Sequence, residues 1–234
     1  MLNDNNLYVK GAVKLGRALQ RQTHTPHDRV VMELQHKPLH PHQWERLHRV
    51  GFIKCVVSPI HPPKKEFTRH DLREKLAVLH IWAMQVYQRV VFVDADTFPR
   101  AGIDHLFTMD LQGKPIGVTR DIRNQEWVNT FNSGVLLLNP SLQEHERLVG
   151  LLRKGIRYEY TMGDQGFLNT VYRNNWHEIG FVNNANMAVY EFQREFWDQY
   201  KMQDINIIHY TMDKPWRCSL KGVYAPICNV WINA

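Results

Sequence analysis

The residues with the most evident potential for chemistry are Asp94 and Asp96, in the run Asp94-Ala95-Asp96-Thr97. Four apolar residues, 90–93, precede this run, and such a stretch predicts a buried parallel strand that ends at the carboxylates. A turn at the strand end can aim both carboxylates at one divalent cation, and oxygen ligands select Mg²⁺, Ca²⁺ or Mn²⁺. The run therefore predicts a cation site at the carboxyl end of this strand.

Two classes of enzyme use acidic residues in this arrangement. In one class, the metal that the carboxylates bind bridges the diphosphate of a sugar nucleotide. In the other, the haloacid-dehalogenase-type phosphatases, the first Asp is a nucleophile and the second is an acid–base. Asp94 and Asp96 fit either class, so the rest of the chain has to decide between them.

Two glycine-containing runs supply further polar groups. Asn132-Ser133-Gly134 directly precedes a second apolar run, residues 135–138, where it could line the site or form an ordinary turn. Asp164 and Gln165 lie between glycines at a predicted helix start. A functional carboxylate and a simple helix cap are both open interpretations of Asp164.

His209 and Lys214 form the last candidate group, in the run from His209 to Trp216. His209 is predicted to end a buried strand, which would put its imidazole at the same sheet edge as the two carboxylates. A nitrogen ligand beside carboxylates favours Mn²⁺ over Mg²⁺. Lys214 can pair with a phosphate as a point charge.

The elements that must position these residues alternate along the chain. Apolar runs predict strands at 29–34, 52–57, 90–93, 135–138 and 205–209. Amphipathic spacing and capping residues predict helices at 7–19, 41–49, 69–85 with Thr68 as its cap, 141–153 and 163–171. This alternation predicts an α/β fold with a doubly wound, mostly parallel sheet and a site at the carboxyl ends of the strands.

Composition excludes several classes of protein. The chain has 234 residues, 44% of them hydrophobic and 22% charged, which suits one α/β domain and excludes disordered or collagenous chains. The net charge of +6 lies mainly in the first third of the chain and suits an anionic partner, but no pattern supports nucleic acid. No apolar stretch is long enough to span a membrane, and no signal peptide is visible. Three scattered cysteines predict neither a disulfide scaffold nor a zinc site, and favour a reducing compartment.

Taken together, the motifs resemble those of glycosyltransferase family 8, and within it those of the glycogenins. The resemblance rests on five runs in the same order, which span residues 5–216. They are Asn5 to Ala12, Asp94 to Thr97 with Ile103 to Phe107, Phe131 to Val135, Gly163 to Asn169, and His209 to Trp216. The phosphatase class places its acidic motif near the N-terminus, so the joint match favours the glycosyltransferase.

This resemblance implies a GT-A fold formed by a single domain over residues 1–234. It also implies retaining transfer of a hexose from a UDP-sugar with Mn²⁺, and Mg²⁺ as the second candidate ion. The expected partners are the nucleotide sugar and a glycan, protein or lipid acceptor, with a homodimer as one candidate assembly. A cytoplasmic location is favoured, or the Golgi lumen if an N-terminal anchor is missing.

The resemblance also implies a role for individual residues. The metal ligands would be Asp94, Asp96 and His209. The residues that contact the nucleotide and its diphosphate would be Asn5, Tyr8, Ala95 and Lys214. The residues that line the donor sugar would be Asn132, Ser133, Asp164 and Gln165, with Asp164 and Gln165 taking part in catalysis.

Four departures from the family pattern bear on these roles, and two of them are Thr161 and Met212, which stand where the family has an acidic or small residue and a glycine. The family has an apolar strand before the first motif, whereas only four residues precede Asn5, so the first strand is expected to be truncated. Val78 stands where the family has a basic residue, and Lys75, one turn earlier, is expected to reach the same region. Glycogenins glucosylate one of their own tyrosines, and Tyr190 falls near the corresponding place, although a structural tyrosine is the favoured interpretation. The truncation also keeps open a second hypothesis, a nucleotide-sugar-binding relic with little turnover.

Overall fold

Strands and helices alternate over much of the chain, as the sequence predicts. The computed structural model describes residues 6–22, 24, 26–62 and 70–234. The strands are β1 (Arg29–Leu34), β2 (Phe52–Val57), β3 (Val90–Val93), β4 (Thr97–Pro99), β5 (Gly117–Arg123), β6 (Glu126–Leu138), β7 (His177–Glu178), β8 (Ala185–Asn186) and β9 (Ile207–His209). The α-helices are α1 (Asn6–Gln22), α2 (Pro41–His48), α3 (His70–Glu74), α4 (Asp104–Thr108), α5 (Leu142–Arg153), α6 (Gly163–Val171), α7 (Met187–Phe192), α8 (Arg194–Trp197) and α9 (Ala225–Ile232). None of the helices in these ranges is both long and apolar enough to cross a membrane.

Most predicted elements are confirmed, and β1, β2, β3 and α6 have the predicted bounds. The helix predicted over 69–85 is wrong in kind, because α3 is followed by a 3₁₀ segment, Lys75–Ala83. Six of the nine side chains in that segment are buried, so it is enclosed by α5 and α6 and lacks the polar face of an amphipathic helix. The proposed cap, Thr68, lies outside the described residues.

The α/β class is confirmed, but the sheets are more mixed than the predicted parallel majority. Among the described strands, β1–β2, β5–β7 and β8–β9 are parallel pairs, whereas β3–β6, β5–β6 and β4–β9 are antiparallel. The strands form three sheets, ordered β1-β2, β3-β6-β5-β7 and β4-β9-β8. The strand predicted at 135–138 is therefore the end of the long strand β6, which runs against both of its neighbours.

A tight hairpin is the reason for this antiparallel centre. Only Asn124 and Gln125 separate β5 from β6, and both have positive φ angles, 48° and 69°. Positive φ at both central residues is the geometry of a two-residue hairpin turn, whose twist matches that of the flanking strands. Asn tolerates this conformation better than most residues, but the sequence lacks the Asn-Gly signal that would have predicted the turn.

Two apolar cores flank the sheet edges that carry the polar motifs. In the first core, the 3₁₀ segment Lys75–Ala83 packs with α5 and α6 on β6, with Trp82 and Phe167 fully buried. In the second, α7, α8 and α9 pack on β9, around Tyr210. The ends of β3 and β9 are thus anchored from both sides, which fixes the side chains that follow them.

An apolar cavity of about 470 Å³ separates β1 from β3 and is also lined by α1. Within the described part of the chain, β1 pairs with β2 alone and β3 with β6 alone. The expectation of a truncated first strand concerns residues 1–5, which lie outside the described residues.

Two of the three cysteines are paired, which the sequence did not predict. Cys218 and Cys228 form a disulfide, while Cys55 is free. The bond joins the turn after Pro215–Arg217 to α9, so the pairing depends on a chain reversal that the cysteine spacing does not reveal. Since disulfides persist mainly in oxidising compartments, this bond removes the argument that the cysteines gave for a reducing one.

Candidate active site

The acidic run lies where β3 ends and β4 begins. The backbone N–H of Asp94 donates to Gly134 O (2.8 Å), which ties this strand end to β6. The backbone N–H and the hydroxyl of Thr97 both donate to Asp94 O (3.0 and 2.7 Å) and close the turn. Because Thr97 pairs with His209 across β4 and β9, the turn brings Asp96 beside the imidazole.

Three potential metal-ligand atoms converge at this turn. One carboxylate oxygen each from Asp94 and Asp96 and one ring nitrogen of His209 lie within 4.8 Å of one another. His209 Nε2 is 3.4 Å from Asp96 Oδ1 and 3.9 Å from Asp94 Oδ2. Two carboxylates and one imidazole form a donor set that suits a divalent first-row metal such as Mn²⁺. The side chains that the sequence predicted as ligands are therefore brought together.

A hydrogen bond holds the His209 ring in the orientation that a metal ligand needs. Its Nδ1 lies 3.0 Å from Asn184 Oδ1, and the Asn184 amide nitrogen donates to Asn132 Oδ1 (3.0 Å). Since Asn184 Oδ1 can only accept, Nδ1 carries a proton, and Nε2 is the ring nitrogen that faces the two carboxylates. Asn184 therefore orients the imidazole in the way that partners of ligating histidines do.

The position of the His209 ring requires a glycine at position 134. A Cβ atom added to Gly134 would lie 2.0 Å from His209 Cε1, closer than any side chain permits. The run Asn132-Ser133-Gly134 is therefore not a turn that precedes a strand. It is part of β6, and its glycine leaves space for the imidazole.

A chain of amides continues from the imidazole to a second buried carboxylate. The Asn132 amide nitrogen donates to Gln165 Oε1 (3.3 Å), and Gln165 Nε2 donates to Asp121 Oδ2 (2.8 Å). The sequence His209–Asn184–Asn132–Gln165–Asp121 is thus one continuous hydrogen-bonded network. It joins the acidic cluster to the start of α6.

Asp164 lies in the first turn of α6 and accepts a hydrogen bond from the Ser133 hydroxyl (3.0 Å). Met162 is the residue at the N-cap position and no side chain caps this helix, so Asp164 is not the cap that the sequence left open. Burial raises the pKa of Asp164, the positive charge of Lys75 opposes this, and the charge of Asp94 adds to it. The carboxylate is therefore held in an environment that resists its negative charge.

Two lysines lie among these carboxylates. Lys214 Nζ is hydrogen-bonded to Asp96 Oδ2. Burial opposes the charge of Asp96, but the hydrogen bonds and positive charges of His209 and Lys214 outweigh it and hold its pKa well below the usual range. Burial likewise opposes the charge of Lys75, but Asp94, Asp164 and Asp96 raise its pKa above the usual range. Lys75 thus reaches the region where the sequence expected it.

The model of the family described as glycosyl transferase family 8 matches residues 5–219. The chain belongs to glycosyl transferase family 8.

Curated relatives of this family 8 chain include glycogenins. It is 24% identical to the glycogenin of Neurospora crassa over 219 residues, which is 91% of this chain and 30% of that protein. It is 28% identical to mouse glycogenin-1, over 92% of this chain and 64% of that protein. It is also 28% identical to a putative UDP-glucuronate:xylan alpha-glucuronosyltransferase of Arabidopsis thaliana, over 93% of this chain and 36% of that protein. The chain thus spans less than two thirds of each of these three relatives.

Solved structures support the fold that family 8 membership implies. The galactosyltransferase LgtC, solved with donor and acceptor sugar analogs, matches with a TM-score of 0.66 and 18% identity, over 99% of this chain and 92% of that one. The glycosyltransferase GlyE of Streptococcus pneumoniae matches with a TM-score of 0.68 and 20% identity, over 99% of this chain and 58% of that one. The predicted GT-A fold is confirmed.

Two more residues that the resemblance implies, Tyr8 and Ala95, lie around the acidic turn. Tyr8 packs edge-on against Trp216, with ring centroids 4.6 Å apart. A Cβ on Gly11 would meet Ala95 O at 2.5 Å and the Trp216 ring at 2.7 Å, so α1, the acidic turn and the segment after Lys214 meet closely. Asn5 lies outside the described residues.

Three buried residues of the site were missed at the sequence level, namely Asp121, Asn184 and Asn186. Asp121 Oδ1 accepts from Asn186 Nδ2 (3.3 Å), and burial raises the Asp121 pKa although its hydrogen bonds oppose the shift. No sequence signal marked Asp121, because its neighbours Thr119 and Arg120 are polar and no apolar run leads up to it. Tyr190 is only 5% exposed and packs on Trp197, which favours the structural interpretation of this tyrosine.

Proposed function

We propose that this family 8 chain, acting as one domain over residues 1–234, transfers a hexose from a UDP-sugar to an acceptor with retention at the anomeric carbon. The observation that carries the proposal is the network from His209 to Gln165. It links a cluster of metal-ligand type to Asp164 and Gln165 through neighbouring residues of β6. A diphosphate and the sugar attached to it need two such adjoining regions.

The metal half of the site would hold Mn²⁺, with Mg²⁺ as the second candidate. Asp94, Asp96 and His209 would be its ligands, in keeping with the donor set and with the Nε2 atom that Asn184 leaves available. A divalent ion bound there would offset the charge that develops on a diphosphate leaving group. Lys214 and Lys75, which lie at the same carboxylates, would stabilise that charge further.

The sugar half of the site would stabilise the positive charge that develops on the donor sugar. As the glycosidic bond breaks, the sugar ring becomes oxocarbenium-like and positive. Asp164 would stabilise this positive charge from beside the ring, and its orientation is set by the Ser133 hydroxyl. Gln165 would present the second N–H of its amide to the sugar or the acceptor, since its Oε1 accepts from the Ser133 backbone N–H and its other N–H donates to Asp121.

Family membership removes the phosphatase hypothesis for Asp94, whereas the nucleotide-sugar-binding relic remains the second candidate. The test is incubation of the protein with Mn²⁺ and a panel of UDP-glucose, UDP-galactose, UDP-xylose and UDP-glucuronate, followed by quantification of released UDP. The proposal expects UDP release from at least one of the three six-carbon donors, and its loss in Asp164→Asn; release from UDP-xylose alone would contradict hexose transfer. Binding of a donor without UDP release would support the relic, and no binding of any donor would contradict both.

The cellular compartment of the protein is the subject of a separate proposal. The sequence favoured the cytoplasm, and the Golgi lumen was the second candidate. The Cys218–Cys228 bond favours the second, because the cytosol keeps such thiols reduced. The thiol state of these two cysteines in protein isolated under rapid alkylation tests this choice, since free thiols would favour the cytoplasm.

A further inference from the structure

A polar groove runs along α6, between this helix and the β5–β6 hairpin, beside the site already described. Its cavity volume is about 470 Å³. The residues of α6 that line it, Gln165, Gly166, Asn169 and Thr170, recur with helical spacing on one face of the helix. The opposite wall comes from the β5–β6 hairpin, with Arg123 and Asn129.

Gln165 connects this groove to the donor-sugar half of the site. Its side chain lines the groove, while its Oε1 accepts from the Ser133 backbone N–H (3.1 Å) and its Nε2 donates to Asp121 (2.8 Å). A molecule that lies in the groove therefore ends against the residue that adjoins the proposed position of the sugar. The nine residues of α6 give the groove a length of roughly 13 Å, which exceeds a single sugar ring.

The lining of the groove is rich in amides, and of its three charged side chains, Arg123, Glu159 and Arg173, the first two form an ion pair. Arg123 pairs with Glu159 through two hydrogen bonds, of 2.8 and 2.5 Å. The Asn129 amide nitrogen donates to Asn174 Oδ1 (2.9 Å), so Asn129 Oδ1 and the Asn174 amide nitrogen face other partners. Amides of this kind pair well with hydroxyl groups, which both donate and accept.

Two features keep this lining in place. Asn169 donates to Phe131 O and accepts from the Phe131 backbone N–H, both at 2.8 Å, and so fixes the floor of the groove to β6. Asn174 has a positive φ of 58°, a conformation that asparagine adopts more readily than most residues. Trp176 lies at the far end of the groove, edge-on to Phe131, and offers an aromatic surface of the kind that packs on sugar rings.

We propose that this groove binds the acceptor and that the acceptor is a neutral oligosaccharide. The proposal rests on the proposed sugar transfer, because it assigns the second substrate of that reaction. A neutral, hydroxyl-rich chain matches the amides, the Arg123–Glu159 pair and the tryptophan, and the Arg173 guanidinium can donate to its hydroxyl groups. A lipid tail would find an apolar surface in the cavity between β1 and β3 instead.

The test measures binding and transfer separately. Maltotriose, cellotriose and xylotriose are titrated into the protein with Mn²⁺ and UDP present, and binding is followed by saturation-transfer-difference NMR. The double variant Asn129→Ala with Arg173→Ala removes two exposed groove side chains. The matched control, Asn229→Ala with Arg46→Ala, removes exposed side chains from α9 and α2.

The proposal expects at least one trisaccharide to bind wild type and the control alike, and to bind the groove variant roughly tenfold more weakly, as loss of two hydrogen-bonding groups implies. UDP release in the absence of acceptor should stay unchanged in both variants. Equal binding by the groove variant, or no binding of any of the three trisaccharides to wild type, would overturn the proposal. Trisaccharide binding at the groove without UDP release from any donor would instead count against the proposed transfer and leave the groove assignment supported.

Discussion

The two halves of the candidate site each bury one carboxylate, and they affect its ionisation in opposite ways. Asp96 is 6% exposed and Asp164 is 7% exposed. Burial opposes the charge of both, yet the pKa of Asp96 lies below its ordinary value and that of Asp164 lies above it. Equal burial therefore does not determine the charge state of a carboxylate.

The difference comes from the partners of each side chain. Asp96 contacts the imidazole of His209 and the ammonium of Lys214, which both favour the ionised form. Asp164 has a hydroxyl partner, Ser133, and the charge of Lys75 only partly offsets burial. The first environment suits a permanent anion that binds a cation. The second suits an anion that is favoured once positive charge develops beside it.

The largest expected effect is that of Asp164→Asn. If Asp164 stabilises charge only in the transition state, this substitution should lower kcat about 10²–10³-fold and change donor affinity little. It should not lower stability, because it removes a buried charge of raised pKa. Steady-state kinetics and urea unfolding measure both quantities. Near-normal kcat in a folded variant would reduce the sugar half of the site to a structural role.

The next largest effect is expected from loss of the Cys218–Cys228 disulfide, which lies beside the Lys214 segment of the metal half. Cys218→Ser opens the link between the segment after Lys214 and α9, and should lower the free energy of unfolding by about 3 kcal/mol. A reductant should lower the unfolding midpoint of wild type and leave that of the variant unchanged. Cys55→Ser is the control and should keep the sensitivity to reductant. A wild-type midpoint that does not respond to the reductant would contradict this assignment.

Gly134→Ala tests whether the two halves are joined at β6. The new Cβ must displace the His209 ring, so stability should fall by about 1–3 kcal/mol and stabilisation by Mn²⁺ should be lost. Gly150→Ala is the matched control, because a Cβ there meets nothing within 4 Å and lies in α5, where Ala is favoured. Thermal unfolding with and without Mn²⁺ compares the two. A thermal response to Mn²⁺ that survives Gly134→Ala would disconnect Gly134 from the metal ligands.

The smallest effects concern pH, and they differ in sign between the halves. The lowered pKa of Asp96 contributes stability above its unfolded value of about 3.9, which is lost as the pH falls through the folded pKa. The raised pKa of Asp164 favours folding below that unfolded value, and this contribution is lost as the pH rises through the folded pKa. In metal-free urea unfolding across pH, Asp96→Asn should therefore flatten the acid limb. Asp164→Asn should raise stability at neutral pH, and identical curves for the two variants would contradict the comparison.

Local sequence patterns predicted many elements of this structure. The rest depends on contacts between residues that are distant in sequence. β1, β2 and α6 followed from apolar runs and helix signals, and the carboxylates of Asp94 and Asp96 followed from their place at a strand end. Asp121 and Asn184 could not be predicted, because each joins the site through a hydrogen bond to a side chain more than 40 residues away. The 3₁₀ winding of Lys75–Ala83 likewise depends on its enclosure by α5 and α6.

The central claim is that a divalent ion at Asp94, Asp96 and His209 recruits the diphosphate of a nucleotide donor. Isothermal titration calorimetry of UDP, with and without Mn²⁺, tests it most directly in wild type and in Asp96→Asn. We expect Mn²⁺ to raise the UDP affinity of wild type at least about tenfold and to leave that of Asp96→Asn unchanged. Equal UDP affinity with and without Mn²⁺ in wild type, or an equal gain in the variant, would contradict the account.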